Sequence, residues 1–303
     1  MRGQVAESVA EIHLLDGALG TELGRRGVDT RGALFSAAAL LDEGGRIALR
    51  EVHRAYVEAG AQTVTAATFR TNRRALAAAG LEPRFPQLAK LAVREAREAV
   101  RGRARVAGSM APLEDCYRPE LRPAAAQASR EHLEHARALA EAGCDLLLVE
   151  TVAAADEGLA AVAAAAATGL PVWVAAMATP KRTLLDGSDL AEFFRRAVQA
   201  GARAVLVNCT PPDGIDLALP AAAAAGAPFG AYAHLGEVDP AVRWGPAPKL
   251  GPEEYAQRVA KWVERGATIV GGCCGTTPAH IAALAARFRG AEPSSTPAAG
   301  KRP

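Results

Sequence analysis

Cysteine thiols are the groups in this sequence whose type and spacing best suit chemistry. Cys209 follows one short apolar run, and the adjacent Cys273 and Cys274 follow another. The separation of 64 residues between Cys209 and Cys273 (273 − 209) is too long for a zinc ribbon or finger. Glycines on both sides of the adjacent pair permit a turn that aims both thiols the same way. We therefore expect the three thiols to meet if the two runs end at the same edge of a sheet.

Three thiolates with one open position describe a catalytic zinc site, because a structural zinc site has four protein ligands. Zinc also suits soft sulfur ligands and needs no redox change. A zinc ion held in this way accepts a substrate thiol, which binds as the thiolate and becomes a nucleophile. Three anionic ligands weaken the Lewis acidity of the metal, so the ligand set favours alkyl transfer to sulfur over hydrolysis.

Other interpretations of the cysteines stay open. Small cysteines are frequently buried in strands without a chemical role, and this interpretation is preferred for Cys116 and Cys144. Vicinal cysteines also form redox pairs, although a redox site in the cytosol more often has a Cys-x-x-Cys spacing. The chain has five cysteines, and an odd number argues against a framework of disulfides.

Short apolar runs alternate with longer amphipathic stretches along the chain. The apolar runs lie at 12–15, 63–66, 106–109, 146–150, 172–176, 204–208, 229–233 and 268–271. Helical patterns lie at 45–58, 87–100, 124–142, 154–168, 190–200, 215–225, 252–265 and 278–288. This alternation predicts an α/β protein with a single-domain (β/α)8 TIM barrel, and an open doubly wound sheet is the alternative. The first run lacks a complete phosphate-binding glycine pattern, which favours the barrel.

Active sites of TIM barrels lie at the C-terminal ends of the strands. Polar residues at those ends are therefore candidates for substrate binding. Besides the three cysteines, these residues are Asp16, Thr65, Thr68, Ser109, Glu150, Thr151, Asn208, His234 and Glu237.

Composition restricts the class of protein. The 303 residues carry a formal net charge of +2 with acidic and basic residues interleaved, which is a poor match to nucleic acid. No stretch approaches the roughly 18 apolar residues of a membrane helix, and the N-terminus lacks a signal-peptide core, so we expect a cytoplasmic protein with no membrane partner. We expect flexible residues at 1–10, the barrel at 11–289 and a disordered tail at 290–303. An oligomer is not indicated.

Several segments together resemble the zinc-dependent homocysteine S-methyltransferases. The segments are DGALGTEL from Asp16, the strand end Glu150-Thr151, VNCTPP from Val207, Gly236-Glu237 and GGCCGTTPAHI from Gly271. The resemblance covers about residues 12–289. The family includes betaine-homocysteine methyltransferase, S-methylmethionine-dependent enzymes and the homocysteine module of cobalamin-dependent methionine synthase. The chain is too short to contain the folate and cobalamin modules of a complete cobalamin-dependent synthase.

The resemblance implies roles for the residues at the strand ends. The three cysteines would ligate zinc, homocysteine would supply the fourth ligand through its sulfur, and methionine would be the product. Positions matching Asp16 and Glu150 lie at the amino-acid site, where Glu150 would hold the ammonium group of homocysteine. Backbone N–H groups from Gly17 to Thr21 would bind its carboxylate.

The resemblance also bears on the methyl donor. S-methylmethionine is favoured, with S-adenosylmethionine as a less efficient relative, because single-module members of this size resemble that branch. Betaine is the alternative, although the dedicated betaine enzymes carry an additional C-terminal oligomerisation region. Phe69, Tyr117 and Trp244 are candidates for a donor pocket through cation–π attraction, with their individual roles left open.

His234 departs from the family pattern, which has asparagine at this point after the seventh strand. A histidine ligand would close the zinc site, so His234 is assigned to substrate binding and not to the metal. Because of this departure, a family member that acts on a thiol acceptor other than homocysteine remains an alternative. A non-catalytic zinc-binding or thiol-binding barrel is a further alternative, but it would not need Asp16 and Glu150 beside the thiols.

Overall fold

The short apolar runs form the strands of one parallel sheet. The computed structural model describes residues 11–236 and 249–289. In these ranges the strands are β1 His13–Leu14, β2 Thr63–Thr65, β3 Arg105–Met110, β4 Leu146–Val152, β5 Val172–Ala176, β6 Ala204–Asn208, β7 Phe229–Ala233 and β8 Ile269–Gly272. Each strand overlaps the run that predicted it, because a short apolar stretch fits a sheet that is buried on both faces.

The strands close into a barrel. Their order is β1-β8-β7-β6-β5-β4-β3-β2, and each hydrogen-bonded pair is parallel. A parallel bridge between Leu15 and Thr63 joins the first strand to the second, and the Gln62 N–H donates to the Leu14 carbonyl at 2.8 Å. The predicted (β/α)8 TIM barrel is therefore confirmed, and the doubly wound sheet is ruled out.

Helices connect the strands around the outside of the barrel. In the described ranges they are α1 Leu19–Arg25, α2 Glu43–Glu58, α3 Arg73–Ala78, α4 Gln87–Val100, α5 Ala125–Glu141, α6 Ala155–Ala166, α7 Leu190–Gln199, α8 Pro212–Ala223, α9 Pro252–Glu264 and α10 Pro278–Phe288. The eight predicted helices correspond to α2 and α4–α10. The sequence did not predict α1 and α3, because seven and six residues are too few to show a helical period.

Alternate residues of each strand pack in different places. Leu146, Leu148 and Trp173 belong to a buried cluster within the barrel. Leu147, between Leu146 and Leu148, and Val174, directly after Trp173, pack in the larger cluster against the helices. This alternation follows from the two-residue period of a strand, and it gives the barrel an apolar centre.

The inward positions become polar at the C-terminal ends of the strands. Ser109 on β3, Glu150 on β4, Asn208 on β6 and Tyr232 on β7 continue the inward rows, and all four are buried. Hydrogen-bonding groups are therefore concentrated at the end of the barrel where TIM-barrel active sites lie.

Some sequence expectations lie outside the described residues. They concern residues 1–10 and 290–303, as well as Glu237 and Trp244. The predicted domain limits of 11–289 accordingly stay a prediction. Among the helices given above, none is long and apolar enough to span a membrane.

Candidate metal centre and substrate cavity

Three cysteine thiols meet at the C-terminal end of the barrel. Cys209 directly follows β6, and Cys273 and Cys274 directly follow β8. Their Sγ atoms all lie within 4.8 Å of one another. The Sγ atoms of Cys209 and Cys273 are 2.9 Å apart, which is longer than the roughly 2.05 Å of a disulfide bond. The structure thus brings the three predicted cysteines together as free thiols.

The backbone around the thiols is fixed by neighbouring segments. The Cys273 N–H donates to the carbonyl of Ala233 at 2.9 Å. The Thr276 hydroxyl donates to the Cys273 carbonyl at 2.8 Å and closes the turn after β8. Cys209 has a φ of +46°, which turns the chain sharply at the end of β6 and is uncommon for a residue other than glycine.

The donor set fits a divalent metal that prefers sulfur. Ligands at about 2.3 Å from a tetrahedral zinc lie about 3.8 Å apart, and the observed Sγ atoms lie within 4.8 Å of one another, with one pair at 2.9 Å. Hydrogen bonds from Cys209 and Cys273 hold the pKa of Cys274 well below its usual value. Hydrogen bonding to Cys273 and Cys274, together with burial, raises the pKa of Cys209. A bound cation would offset the repulsion among three thiolates, so these residues suit zinc.

Gly275 is predicted to be essential for the thiol turn. It has a φ of +88°, and an added Cβ would lie 2.7 Å from both the Leu235 carbonyl carbon and the Gly236 nitrogen. We expect Gly275→Ala to lower the affinity for Zn²⁺ by roughly 10-fold to 100-fold, the range seen when support for a metal ligand is lost. Competition with a chromophoric chelator measures this affinity.

Gly187 provides the matched control for that prediction. Its φ is +89°, but an added Cβ meets nothing within 4 Å. Gly187→Ala therefore introduces the same backbone strain without crowding the thiol turn. Equal affinity for Zn²⁺ in the two variants would contradict the role given to Gly275.

His234 lies beside the thiol cluster on the side of β7. Its backbone N–H donates to the Thr210 carbonyl at 3.1 Å. A hydrogen bond from the His234 side chain contributes to the lowered pKa of Cys274, after the larger effects of the other two cysteines. His234 is not among the residues that line the substrate cavity. The structure therefore places it next to a thiol, and its contact with substrate stays a prediction.

Asp16 is a buried carboxylate that follows β1. The Thr65 N–H donates to its Oδ2 atom at 2.7 Å, and the Thr65 hydroxyl donates to Oδ1 at 3.1 Å. Burial raises the pKa of Asp16 to about 7, and the charge of Glu150 contributes to the increase. A negative charge on Asp16 is consequently costly unless a cation enters the site.

Glu150 is the second buried carboxylate. The Ser109 hydroxyl donates to its Oε1 atom at 2.5 Å, and the Tyr232 hydroxyl donates to Oε2 at 3.1 Å. Burial raises the pKa of Glu150, although the two hydrogen bonds act in the opposite direction. The donors fix the orientation of the carboxylate and leave its other lone pairs available to a cationic ligand.

One cavity of about 530 Å³ connects the thiols and both carboxylates. This volume lies in the range of small-molecule sites, roughly 300 to 1,000 Å³. Its wall away from the barrel includes Phe35, Phe69, Arg70 and Tyr117. The rings of Phe35 and Phe69 meet edge to face at 5.9 Å, and the Arg70 guanidinium lies 5.3 Å from the centre of the Phe69 ring.

Most of the predicted site residues line this cavity. They are Asp16, Gly17, Thr65, Ser109, Glu150, Thr151, Cys209, Cys273 and Cys274. Thr68 differs, because it is fully buried and is not in the cavity wall. Its hydroxyl donates to the Ser109 carbonyl at 2.9 Å and accepts from the Ser109 N–H at 2.8 Å. Thr68 therefore supports Ser109, and its contact with substrate stays a prediction.

Tyr232 and Cys116 are among the cavity residues that were not selected from the sequence. Tyr232 occupies an inward position of β7, and the two-residue alternation of that strand could have identified it. Cys116 was interpreted as a structural cysteine, but it lines the cavity and packs in the same cluster as Cys209. It lies in the irregular segment after β3, and no sequence pattern gives the path of that segment.

A barrel with an open cluster of three thiols beside a small-molecule cavity has the architecture of a metal-assisted TIM-barrel enzyme. Comparison with known proteins then gives the family. The profile of the homocysteine S-methyltransferase family matches residues 13–288. The chain therefore belongs to the homocysteine S-methyltransferase family.

Individual relatives agree with this assignment. The chain is 33% identical to homocysteine S-methyltransferase of Escherichia coli, over 91% of this chain and 95% of that protein. It is 31% identical to homocysteine S-methyltransferase YbgG of Bacillus subtilis, over 91% and 94% of the two chains. The crystal structure of E. coli MmuM in its metallated form superposes with a TM-score of 0.79 at 30% identity, covering 91% of this chain and 96% of MmuM. The predicted family and the assignment as an enzyme that methylates homocysteine are confirmed.

Proposed function

We propose that this enzyme uses zinc to transfer a methyl group from an onium donor, preferably S-methylmethionine, to the thiol of homocysteine. Methionine is the product. One observation carries the proposal: the three-thiol cluster and the two buried carboxylates face the same cavity. A metal store would need the thiols alone, whereas an amino-acid thiol needs a sulfur site and an ammonium site at fixed separation.

The cysteine cluster is the proposed sulfur site. Cys209, Cys273 and Cys274 would hold the zinc, and the cavity provides access to the remaining position. When bound, zinc acts as a Lewis acid that lowers the pKa of a thiol placed at that position, so that the sulfur reacts as a thiolate. The protein contributes a turn that keeps the three thiols together before the substrate arrives.

The carboxylates form the proposed ammonium site. Glu150 is oriented by Ser109 and Tyr232, and Asp16 is oriented by Thr65. A substrate ammonium group would offset the cost of ionising both buried acids. Gly17 lines the cavity next to Asp16 and is the proposed start of the backbone that receives the substrate carboxylate.

Aromatic side chains form the proposed donor site. Phe69 and Tyr117 line the cavity and pack against the cluster that contains Cys209. An onium methyl group is attracted to an aromatic face, but the guanidinium of Arg70 lies over the Phe69 ring. We therefore assign the stronger attraction to Tyr117. In-line attack would form a new S–CH₃ bond as the donor C–S bond breaks, and the bond electrons leave with a neutral thioether.

Methionine formation tests the proposed function. Zinc-loaded protein is incubated with homocysteine and with S-methylmethionine, S-adenosylmethionine or betaine in separate reactions. We expect the fastest turnover with S-methylmethionine and slower turnover with S-adenosylmethionine. Turnover with betaine alone would instead support the betaine-dependent alternative.

Failure with all three donors, in protein shown to contain zinc, would contradict the proposal. A second measurement then separates acceptor from donor. If homocysteine raises the melting temperature of the zinc-loaded protein, the acceptor is correct and the donor is wrong. If another thiol does so and homocysteine does not, the family member has a different acceptor, and residues near His234 are the first to examine.

A further inference from the structure

The end of β4 departs from regular pairing next to Glu150. The register of β4 with β5 is regular up to Val149 and shifts before Val152. Within this irregularity Thr151 has a φ of +58°, in the left-handed region that a β-branched residue rarely adopts. The Thr151 N–H is turned away from the regular ladder and needs another partner, because buried backbone donors are almost always paired.

Asn208 supplies that partner from the end of β6. The Thr151 N–H donates to Asn208 Oδ1 at 3.2 Å, and Asn208 Nδ2 donates to the Thr151 hydroxyl at 3.0 Å. Asn208 is 0% exposed and Thr151 is 2% exposed. The two hydrogen bonds satisfy a backbone donor, a hydroxyl and a side-chain amide away from water.

This pair lies directly between the two halves of the proposed site. Thr151 follows Glu150, and Asn208 precedes Cys209. Tyr232 is the ladder partner of Asn208 and donates its hydroxyl to Glu150. Asn208 at the end of β6 thus binds Thr151, and Tyr232 at the end of β7 binds Glu150. Both of these strands lie beyond β5 as seen from β4.

A buried amide is not required by the barrel itself. The same inward row of β6 contains Ala204 and Leu206, so an apolar residue at position 208 would continue the packing. An amide at this depth is costly unless both of its polar groups are paired. Its pairing with a strained residue next to Glu150 indicates a role in the site.

We propose that Asn208 is a positioning residue that fixes the amino-acid anchor relative to the thiol cluster. The inference rests on the proposed function, because it concerns how one substrate is held at both ends. Asn208 is not among the cavity-lining residues. It acts through Thr151 on Glu150, and through the backbone on Cys209, whose φ of +46° is also strained.

Asn208→Ala leaves the Thr151 N–H without its partner and allows the end of β4 to relax. We expect the Kd of homocysteine for zinc-loaded protein to rise by about 10-fold or more, since an unpaired buried donor is costly. We also expect affinity for Zn²⁺ to fall by about 10-fold, as for other supports of a metal ligand. Calorimetry measures homocysteine binding, and competition with a chromophoric chelator measures Zn²⁺ binding.

Gln62→Ala is the matched control. The Gln62 side-chain amide also joins two strands, because its Oε1 accepts from the Leu14 N–H at 2.9 Å. It lies at the opposite end of the barrel, where β2 begins. We expect Gln62→Ala to lower the melting temperature without changing either affinity. Equal effects of the two variants on homocysteine and Zn²⁺, or wild-type affinities in Asn208→Ala, would overturn the proposal.

A second substitution separates positioning from general destabilisation. Glycine adopts a positive φ without strain. In Thr151→Gly, the backbone at position 151 therefore no longer needs Asn208 to hold it in that conformation. We expect Asn208→Ala with Thr151→Gly to bind homocysteine more tightly than Asn208→Ala alone. If the losses of homocysteine affinity in the two single variants simply add in the double variant, the proposed coupling between Asn208 and Thr151 is overturned.

Milder variants address failure of Asn208→Ala to fold. Thr151→Ser keeps the hydroxyl that receives the Asn208 amide, whereas Thr151→Ala removes it. We expect tighter homocysteine binding by the serine variant, and equal binding would overturn the proposal. If the wild-type protein binds Zn²⁺ but not homocysteine, the proposed function fails, while the effect of Asn208 on Zn²⁺ affinity still decides this inference.

Discussion

Cys273→Ala is expected to abolish zinc retention and methyl transfer together. The Cys273 Sγ atom lies 2.9 Å from that of Cys209 and belongs to the only His, Cys, Asp and Glu group in the described residues that is arranged to hold a metal. Loss of a ligand should cost more than the roughly 10-fold to 100-fold lost with an outer partner. Zinc content after dialysis against a chelator, and methionine formation by the same sample, measure the two effects.

Cys144→Ala is the control for this substitution. Cys144 is also buried, and burial raises its pKa to about 12. It precedes β4 and is therefore at the opposite end of the barrel from the thiol cluster. We expect this variant to retain zinc and activity even if its melting temperature falls. Wild-type turnover by zinc-free Cys273→Ala would refute the proposed use of the metal.

The thiol cluster was predictable because it depends on strand order more than on loops. Cys209 and Cys273 each end a strand, and parallel strands of a barrel end at one rim. The same reasoning placed Ser109 and Glu150 in the cavity. Where a residue follows directly from a strand, its location was therefore available from the apolar pattern.

The direction of side chains beyond the strands was not available in this way. Thr68 lies in the segment after β2, and its hydroxyl pairs with the backbone of Ser109 instead of facing the cavity. A threonine in irregular structure can satisfy nearby backbone groups, and the sequence does not reveal which groups will be near. The type of residue and its approximate height in the barrel were therefore insufficient to predict the direction of the Thr68 side chain.

The pairing of Asn208 with Thr151 was also hidden. It depends on an irregularity in β4 that brings a backbone N–H out of the ladder. The predicted strand stopped at Glu150, whereas the observed strand continues to Val152 with a shift in register. The sequence contains no glycine at this point to indicate a bulge. Tertiary contacts therefore determine the local backbone.

Asp16→Asn is expected to change the dependence of stability on pH. Burial is the main cause that raises the folded-state pKa of Asp16 from 3.8 to about 7. As pH rises, Asp16 therefore ionises in the unfolded chain before it ionises in the folded protein. Its stabilising contribution to the unfolding free energy is fully present below about pH 4 and is lost as pH rises to about 7. A pKa difference of about 3 corresponds to at most about 4 kcal/mol. Denaturant titrations of zinc-free protein between these pH values measure the decline, which we expect to be smaller in the variant.

Asp42→Asn tests whether removal of any carboxylate has this effect. The Asp42 side chain accepts from the Gly45 N–H at the start of α2, and asparagine caps a helix about as well as aspartate. We expect the wild-type pH dependence in this control. The same flattening in both variants would show that the pH dependence does not arise from the buried position of Asp16.

Asp16→Asn is also expected to weaken homocysteine binding, although it stabilises the zinc-free protein at neutral pH. Ionised Asp16 has no cationic partner among its hydrogen bonds, which come from Thr65. In the proposed site, the ammonium group of the substrate would be the cation that compensates its burial. Removal of one partner from a buried charge pair costs roughly 2 kcal/mol or more, and the Kd should rise by about 30-fold or more. Calorimetry on zinc-loaded protein at pH 8 measures the change. If the variant is more stable but binds homocysteine with unchanged affinity, the ammonium group contacts Glu150 alone. If the variant is more stable and binds homocysteine more weakly, the buried carboxylate of Asp16 serves substrate binding and lowers the stability of the protein without substrate.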